Sequence, residues 1–333
     1  MNYPRYFASR WNWRAVALRP LSWIYRGVLG LRLGLYWLGL KRVYHAPVPV
    51  IVVGNVTVGG TGKTPLVIWL AHHFKSRGFR PAVVTRGYGG KARRWPQWVT
   101  AQSDPKLVGD EAVLIAQRSL CPVVAGPNRV LAIKRLIQVH SVNLILCDDG
   151  LQRLDFVHDL DIVVIDATRG FGNGLLLPAG PCREPPARKG RRDLTVYHGD
   201  SDETHLSMCL APRAWIKVDA APSTQKPLTE FMAQSAHAVA GIGNPQRFFD
   251  LLRALGVRVQ EHAFPDHFAF TSSDFNFGDD KPVLMTEKDA VKCQKFSLAN
   301  AWALQVEAVV DTRFRAKIDE WLDARSSKRA KIP

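Results

Sequence analysis

The stretch that most constrains this chain is V-I-V-V-G-N-V-T-V-G-G-T-G-K-T-P, Val50 to Pro65, in which an apolar β-run meets a glycine-rich turn and then a helical pattern. Glycines at Gly59, Gly60 and Gly62, with Thr61 between, let successive backbone N–H groups turn inward on a phosphate. The helix that follows adds partial positive charge at its N-terminus. Lys63 reaches toward β- and γ-phosphate oxygens, and the Thr64 hydroxyl is placed to ligate Mg²⁺. The strand-loop-helix order predicts a parallel α/β core built around a bound nucleoside triphosphate.

The strict spacing G-x-x-x-x-G-K-[ST] is not met, because Thr57 stands five residues before Gly62. The loop has the G-G-x-G-K-T form of a variant class, which usually carries Lys where this chain has Val58. Such a loop needs a carboxylate for the metal at the end of a neighbouring strand. N-L-I-L-C followed by Asp148 and Asp149 supplies it, although D-G alone is also a common strand-end turn.

Short β-rich runs alternate with helical ones after Pro49. Strands are predicted at 50–54, 81–86, 122–125, 143–147, 161–166, 194–198 and 214–218, and helices at 63–76, 110–119 and 129–140. Residues 170–193, dense in Gly, Pro and Arg, read as an irregular functional loop. A polar linker near 219–227 precedes a second α/β unit, where Gly241 and Gly243 read as a tight strand-to-helix turn into a helix at 245–255. The expected architecture is a P-loop parallel-sheet core (46–227), a membrane-associated N-terminal helical segment (1–45) and a smaller C-terminal α/β domain (228–333).

The formal charge is +16, and its placement matters more than its size. Sixteen of the 45 Lys and Arg precede Asp104, the first acid; the remaining 29 balance the 29 acids. This basic excess overlaps Trp23, Tyr25, Tyr36, Trp37 and many Leu, so it fits an anionic membrane surface better than nucleic acid. The longest charge-free piece there, Leu33 to Leu40, is too short to span a bilayer, and nothing resembles a cleavable signal. Attachment is expected to be peripheral or monotopic, with Pro20 breaking the helix. The alternative is a buried helix that happens to be Arg-rich. Five cysteines without C-x-x-C spacing suggest neither disulfides nor zinc and fit a reducing compartment.

Taken together, A-P-V-P-V-I-V-V-G-N, V-G-G-T-G-K-T-P, R-G-Y-G-G-K (86–91), G-D-E (109–111), D-D-G-L-Q (148–152), F-G-N-G-L-L-L-P-A-G-P-C-R-E (171–184), F-P-D-H-F (264–268) and M-T-E-K-D-A-V-K-C (285–293) closely resemble the tetraacyldisaccharide 4′-kinase family. The resemblance implies ATP and Mg²⁺ use, a lipid-linked disaccharide 1-phosphate as acceptor, lipid IV-A as product and the cytoplasmic face of the bacterial inner membrane as location. It places the family's catalytic aspartate on Asp110, which by itself reads rather as a helix N-cap, and pairs it with His267. Arg86, Tyr88 and Arg183 are candidates for sugar or anion contacts or for structural hydrogen bonds. Where the family usually has His, this chain has Arg153.

The rival reading is a membrane-cycling P-loop NTPase switch. Guanine selection would call for N-K-x-D, and T-E-K-D at Thr286 to Asp289 does not match it.

Overall fold

The computed structural model describes residues 4–187, 192–199, 203–219 and 224–329. A 3₁₀ turn, Arg5–Ala8, leads into α1 (Trp13–Trp37), capped by the Asn12 side chain accepting from the Arg14 amide. Pro20 lies inside α1 without ending it, contrary to the sequence expectation. Proline removes one amide donor from a long ladder, and both Pro20 and Val16, whose carbonyl loses that donor, face outward.

The first unit then runs β1 (Val50–Gly54), α2 (Lys63–Ser76), β2 (Pro81–Thr85), β3 (Gln97–Val99), α3 (Pro105–Val108), α4 (Asp110–Ser119), β4 (Val123–Ala125), α5 (Arg129–Val139), β5 (Leu144–Asp148), β6 (Leu160–Asp166) and β7 (Leu194–His198). The second runs β8 (Leu206–Lys217), β9 (Gln225–Lys226), β10 (Ser235–Ala240), α6 (Pro245–Ala254), β11 (Arg258–Ala263), β12 (Val283–Thr286), α7 (Glu287–Cys293), β13 (Ala301–Val310) and α8 (Thr312–Arg329). The described part of 170–193 is turns and isolated bridges until β7 begins. Of the linker near 219–227, residues 220–223 lie outside the described residues, and Gln225–Lys226 pairs with β8.

All the strands join one sheet in the order β11-β10-β12-β13-β8-β7-β6-β1-β5-β2-β4-β3, with β9 attached to β8. β1, β2, β4, β5, β6 and β7 are parallel, and the mainly apolar runs of β1, β2, β4, β5 and β6 are buried between helices. On one face Leu66, Leu70 and Phe74 recur at helical spacing along α2 and pack against Ile51, Val83 and Leu146. On the other, Ala132, Ile133 and Leu136 of α5 meet Val52, Val84 and Cys147. Burying a side chain such as Phe74 contributes ~2–3 kcal/mol.

β8 determines how the two units meet. Its first residues pair parallel with β7 (His198 with Met208), while the rest pairs antiparallel with β13 as far as Lys217. β12 and β10 run parallel to β13. The second unit's strands therefore sit further along β8 and point back, so the carboxyl edges of the two units face each other. The expected strand at 214–218 is only the end of β8. Pro212 and a register shift opposite Gln305 and Val306 interrupt the alternation there and hide its continuity in the sequence. The second unit has its own cores around Trp215, Phe249 and Trp302 and around Val239, Phe270 and Met285. Phe314, Ile318 and Leu322 of α8 return to the first unit's core.

Candidate active site

Nucleotide-binding edges of α/β sheets lie at strand carboxyl ends, and here two such edges converge. At the end of β1 the loop from Asn55 to Gly62 turns into α2. Gly62 holds φ +85° at the helix N-cap, and a Cβ there would stand 2.7 Å from His198 Nδ1, so glycine is required twice over. Asn55 is fully buried and braces the loop: its Nδ2 donates to the Gly59 carbonyl (3.2 Å) and its Oδ1 accepts from Lys63 Nζ (3.3 Å). Arg169, from the loop after β6, donates to the Gly60 carbonyl. Thr61 is buried with its carbonyl against His198 Nδ1 (3.1 Å), while Lys63 and Thr64 open α2.

Asp148 ends β5, and Asp149 follows with φ +52°. Their environments differ. Burial and Lys63, then Arg183, act on Asp149 in opposite directions; the two cations prevail and hold it at about 2. Arg183 donates to both of its oxygens at 3.0 and 3.1 Å, and Lys63 lies 3.7 Å away. Asp148 is driven the other way, to about 7, by burial and by the Glu111 charge. Its Oδ2 accepts from Thr85 Oγ1 (3.2 Å), whereas its buried Oδ1 has no hydrogen-bond partner.

That orphaned oxygen fits a divalent cation, which would satisfy it and favour the charged carboxylate. Among the described residues no group of three or more His, Cys, Asp or Glu could hold a metal alone. A site of one carboxylate and one hydroxyl, Asp148 and Thr64, suits Mg²⁺, which takes few protein ligands and completes its shell with phosphate and water.

Asp110 is the first residue of α4, in the same unit as the phosphate loop. The N-cap is Gly109, and Asp110 is buried with its Oδ1 accepting from the Glu111 amide (2.8 Å). His267 comes 157 residues later, in the loop after β11, yet its Nδ1 lies 3.1 and 3.0 Å from the two Asp110 oxygens. Burial would raise the Asp110 pKa, but the His267 hydrogen bond and the Lys288 charge outweigh it and keep the carboxyl below its usual range. Tyr88 covers the pair with its ring centroid 4.8 Å from that of His267, and the Arg86 guanidinium lies over Tyr88 at 5.9 Å. Arg86 and Tyr88 thus accompany the dyad, whereas Arg183 sits on Asp149, on the phosphate-loop side. Arg153 turns to Asp155, its Nε 2.9 Å from Oδ1.

Several residues in the cleft were not singled out from the sequence. Asp166, at the end of β6, takes up Arg169, and Arg247 of α6 approaches both Asp166 (3.5 Å) and His198 (3.4 Å). Gln152 donates to the Asn55 carbonyl, and Lys288 of α7 reaches Glu111 and Asp266. Asn55 and Gln152 stand in stretches that already looked unusual. An arginine on a helix surface or a lysine in T-E-K-D carries no local sign of its partner.

Comparison with known proteins agrees with this geometry. The chain matches the family described as Tetraacyldisaccharide-1-P 4′-kinase over residues 14–323. It is 45% identical to the tetraacyldisaccharide 4′-kinase of Nitrosococcus oceani, covering 97% of this chain and 94% of that one. Against the Hahella chejuensis enzyme of the same name it is 45% identical, covering 97% of each. Among solved structures, the "apo" form of LpxK from Aquifex aeolicus in complex with ATP superposes with a TM-score of 0.78 at 27% identity, covering 93% of this chain and 98% of that one. With a phosphate loop, a buried strand-end carboxylate and an Asp–His pair in one cleft, and this likeness along nearly its whole length, the chain belongs to the tetraacyldisaccharide 4′-kinase family.

Proposed function

We propose that this chain transfers the γ-phosphate of ATP, with Mg²⁺, to the 4′-hydroxyl of a tetraacylated glucosamine disaccharide 1-phosphate, giving lipid IV-A, and that Asp110 takes the hydroxyl proton. The observation that carries the assignment of the base is the hydrogen-bonded contact of Asp110 with His267, made between the two units.

The loop amides and Lys63 bind the β- and γ-phosphates. Thr64 and Asp148 would hold Mg²⁺, which would supply charge neutralisation for the transferring group. Asp149, held by Arg183 and Lys63, orients that lysine. The sugar oxygen bonds to the γ-phosphorus, the bond from that phosphorus to the bridging oxygen breaks, ADP leaves, and the proton passes to Asp110. Oδ1 of Asp110 already accepts from the Glu111 amide, so Oδ2 is the freer oxygen for the hydroxyl. His267 fixes the carboxylate's orientation. The contacts of Asp110 with His267 and of Glu111 with Lys288 join the two units and support a site that is complete only when the two are closed on each other.

The reading places the chain on the cytoplasmic face of the inner membrane, lying on the surface through α1. No described helix is long and apolar enough to cross a membrane. α1 leaves Trp13, Trp23, Ile24, Leu31 and Trp37 exposed and carries arginines with no acid, which suits a headgroup layer.

Radiolabelled γ-phosphate transfer in mixed micelles tests the reaction. Label should appear on the disaccharide, and Lys63→Ala, Thr64→Ala and Asp148→Ala should each lower turnover by orders of magnitude. Asp110→Ala and His267→Ala should each cost ~10²–10⁴-fold, with little further loss when combined. Acceptor-independent hydrolysis alone would favour a switch, and a double variant showing the full product of the two losses would dissolve the dyad.

A further inference from the structure

Lys288, near the start of α7, lies behind the dyad and is partly buried between the two units. Its Nζ has three neighbours at hydrogen-bond distance: Glu111 Oε1 at 3.1 Å, Asp266 Oδ1 at 3.2 Å and His267 Nε2 at 3.3 Å. An ammonium has three N–H donors and no acceptor, so these three partners take its whole capacity. Two are carboxylate oxygens, acceptors by nature. The third is a ring nitrogen, which can accept only if it carries no proton.

We infer that Lys288 is a positioning residue for the phosphoryl transfer: by donating to His267 Nε2 it holds the imidazole neutral with its proton on Nδ1, so that Nδ1–H donates to Asp110. The inference rests on the dyad reading above. The hydrogen bond made by one ring nitrogen sets the state of the other, and here both ends of the ring are specified by charged partners.

Among the groups facing the ring, Lys288 is the one that opposes a proton on Nε2, and the carboxylates leave that nitrogen to it. Asp110, on α4, offers acceptor oxygens to Nδ1 at 3.0 and 3.1 Å. Asp266, the neighbour in the loop, is 3.8 Å from Nε2, beyond hydrogen-bond reach, and spends Oδ1 on Lys288 instead. Glu111, one residue after Asp110, holds the lysine from the other unit. Tyr88 presents its ring. Burial would lower the Lys288 pKa, but Glu111, Asp110 and Asp266 raise it above the ordinary lysine value, so it remains a donor. The backbone helps: His267 has φ +60°, a left-handed conformation uncommon for a non-glycine residue, and its amide donates to the Gly241 carbonyl.

The consequence for catalysis is directional. An imidazole protonated on Nδ1 is a donor to Asp110 and leaves the carboxylate its negative charge. The other tautomer would set a lone pair against that carboxylate, and its Nε2–H against the lysine.

The test combines a spectrum with kinetics on the full-length protein in detergent. ¹⁵N-histidine labelling, with the His267 signals assigned by their absence in His267→Gln, should show Nδ1 protonated and Nε2 unprotonated at neutral pH. In Lys288→Met the Nε2 resonance should move into the protonated range, and kcat should fall on the order of 10²-fold with the KM for ATP unchanged. Lys288→Arg, which keeps a donor-only cation, should recover part of the rate and the wild-type nitrogen pattern. A wild-type ring carrying its proton on Nε2 would overturn the assignment whether or not Lys288→Met folds, as would an unaltered spectrum and kcat in Lys288→Met. Failure of the dyad reading shows separately, as wild-type turnover in Asp110→Asn.

Discussion

Gly109→Ala should disable the enzyme without touching a reacting group. Gly109 precedes Asp110 with φ +95° and ψ 143°, a region that residues with a Cβ enter at a cost of ~1–3 kcal/mol. A Cβ built there lies 2.5 Å from the Tyr88 carbonyl oxygen and 3.1 Å from the Gly87 carbonyl carbon, both backbone atoms that cannot rotate aside. The contact must open, and α4 moves with it, carrying Asp110 away from His267 and Tyr88. Overpacking of this kind costs a further ~1–3 kcal/mol, so a total loss of roughly 2–6 kcal/mol is expected. A displacement of ~1 Å at a catalytic group can cost 10²-fold in rate. Turnover should therefore fall by about that factor, the KM for ATP should stay within about twofold because α2 is anchored independently, and Tm should drop by several degrees. Gly30→Ala, on a helix position with nothing within 4 Å, is the control and should keep both properties. A Gly109→Ala enzyme with wild-type kcat and Tm would show that the backbone contact between the Tyr88 loop and α4 does not position Asp110.

Two further outcomes follow from other parts of the molecule. Burial and the Arg247 charge push His198 down to about 4, against opposing contributions from Asp166 and the Thr61 carbonyl, with Arg169 adding to the depression. The unfolded chain therefore binds the proton first, and stability should decline as pH falls from about 6.5 toward 4, by ~2 kcal/mol at pH 5. Comparing Tm at pH 7.5 and 5 should show a smaller drop in His198→Asn than in the parent; an equal drop refutes the assignment. For the membrane surface, Trp23→Glu with Trp37→Glu should abolish sedimentation with anionic vesicles while leaving Tm unchanged, since both side chains project from the body. Unchanged sedimentation would locate the contact elsewhere.

What could be read in the sequence was local. The phosphate loop, α2 over 63–76, α4 over 110–119 and the aspartates ending β5 all depend on neighbours within a dozen residues, and the structure has them where the pattern put them. β11 reads R-V-Q-E-H-A and lies at the sheet edge, so no apolar run announces it. β8 was cut short by Pro212. The pairing of Asp110 with His267 came from family resemblance, and the contact between them is long-range, so no periodicity could have produced it. Lys288 is the limiting case: its three partners come from two units, and its significance exists only after β8 has turned the second unit's strands to face the first's.

The state of Asp110 limits how it can act as the proposed proton acceptor. A carboxyl held below its usual range by His267 and Lys288 is ionised at neutral pH, and it is a weak base toward a sugar hydroxyl. Basicity therefore cannot drive early removal of the proton. Phosphoryl transfer through a loose transition state does not require that, because little bond to the nucleophile has formed and the proton becomes acidic only as the new P–O bond develops. What the site must supply is an acceptor already in place when that happens. The structure spends its contacts on this requirement: the Glu111 amide and His267 fix the carboxylate, Lys288 fixes His267, and Gly109 lets the backbone of α4 approach Tyr88. Raising the basicity of Asp110 by removing Lys288 should therefore slow the reaction rather than speed it, because the loss of position outweighs the gain in proton affinity.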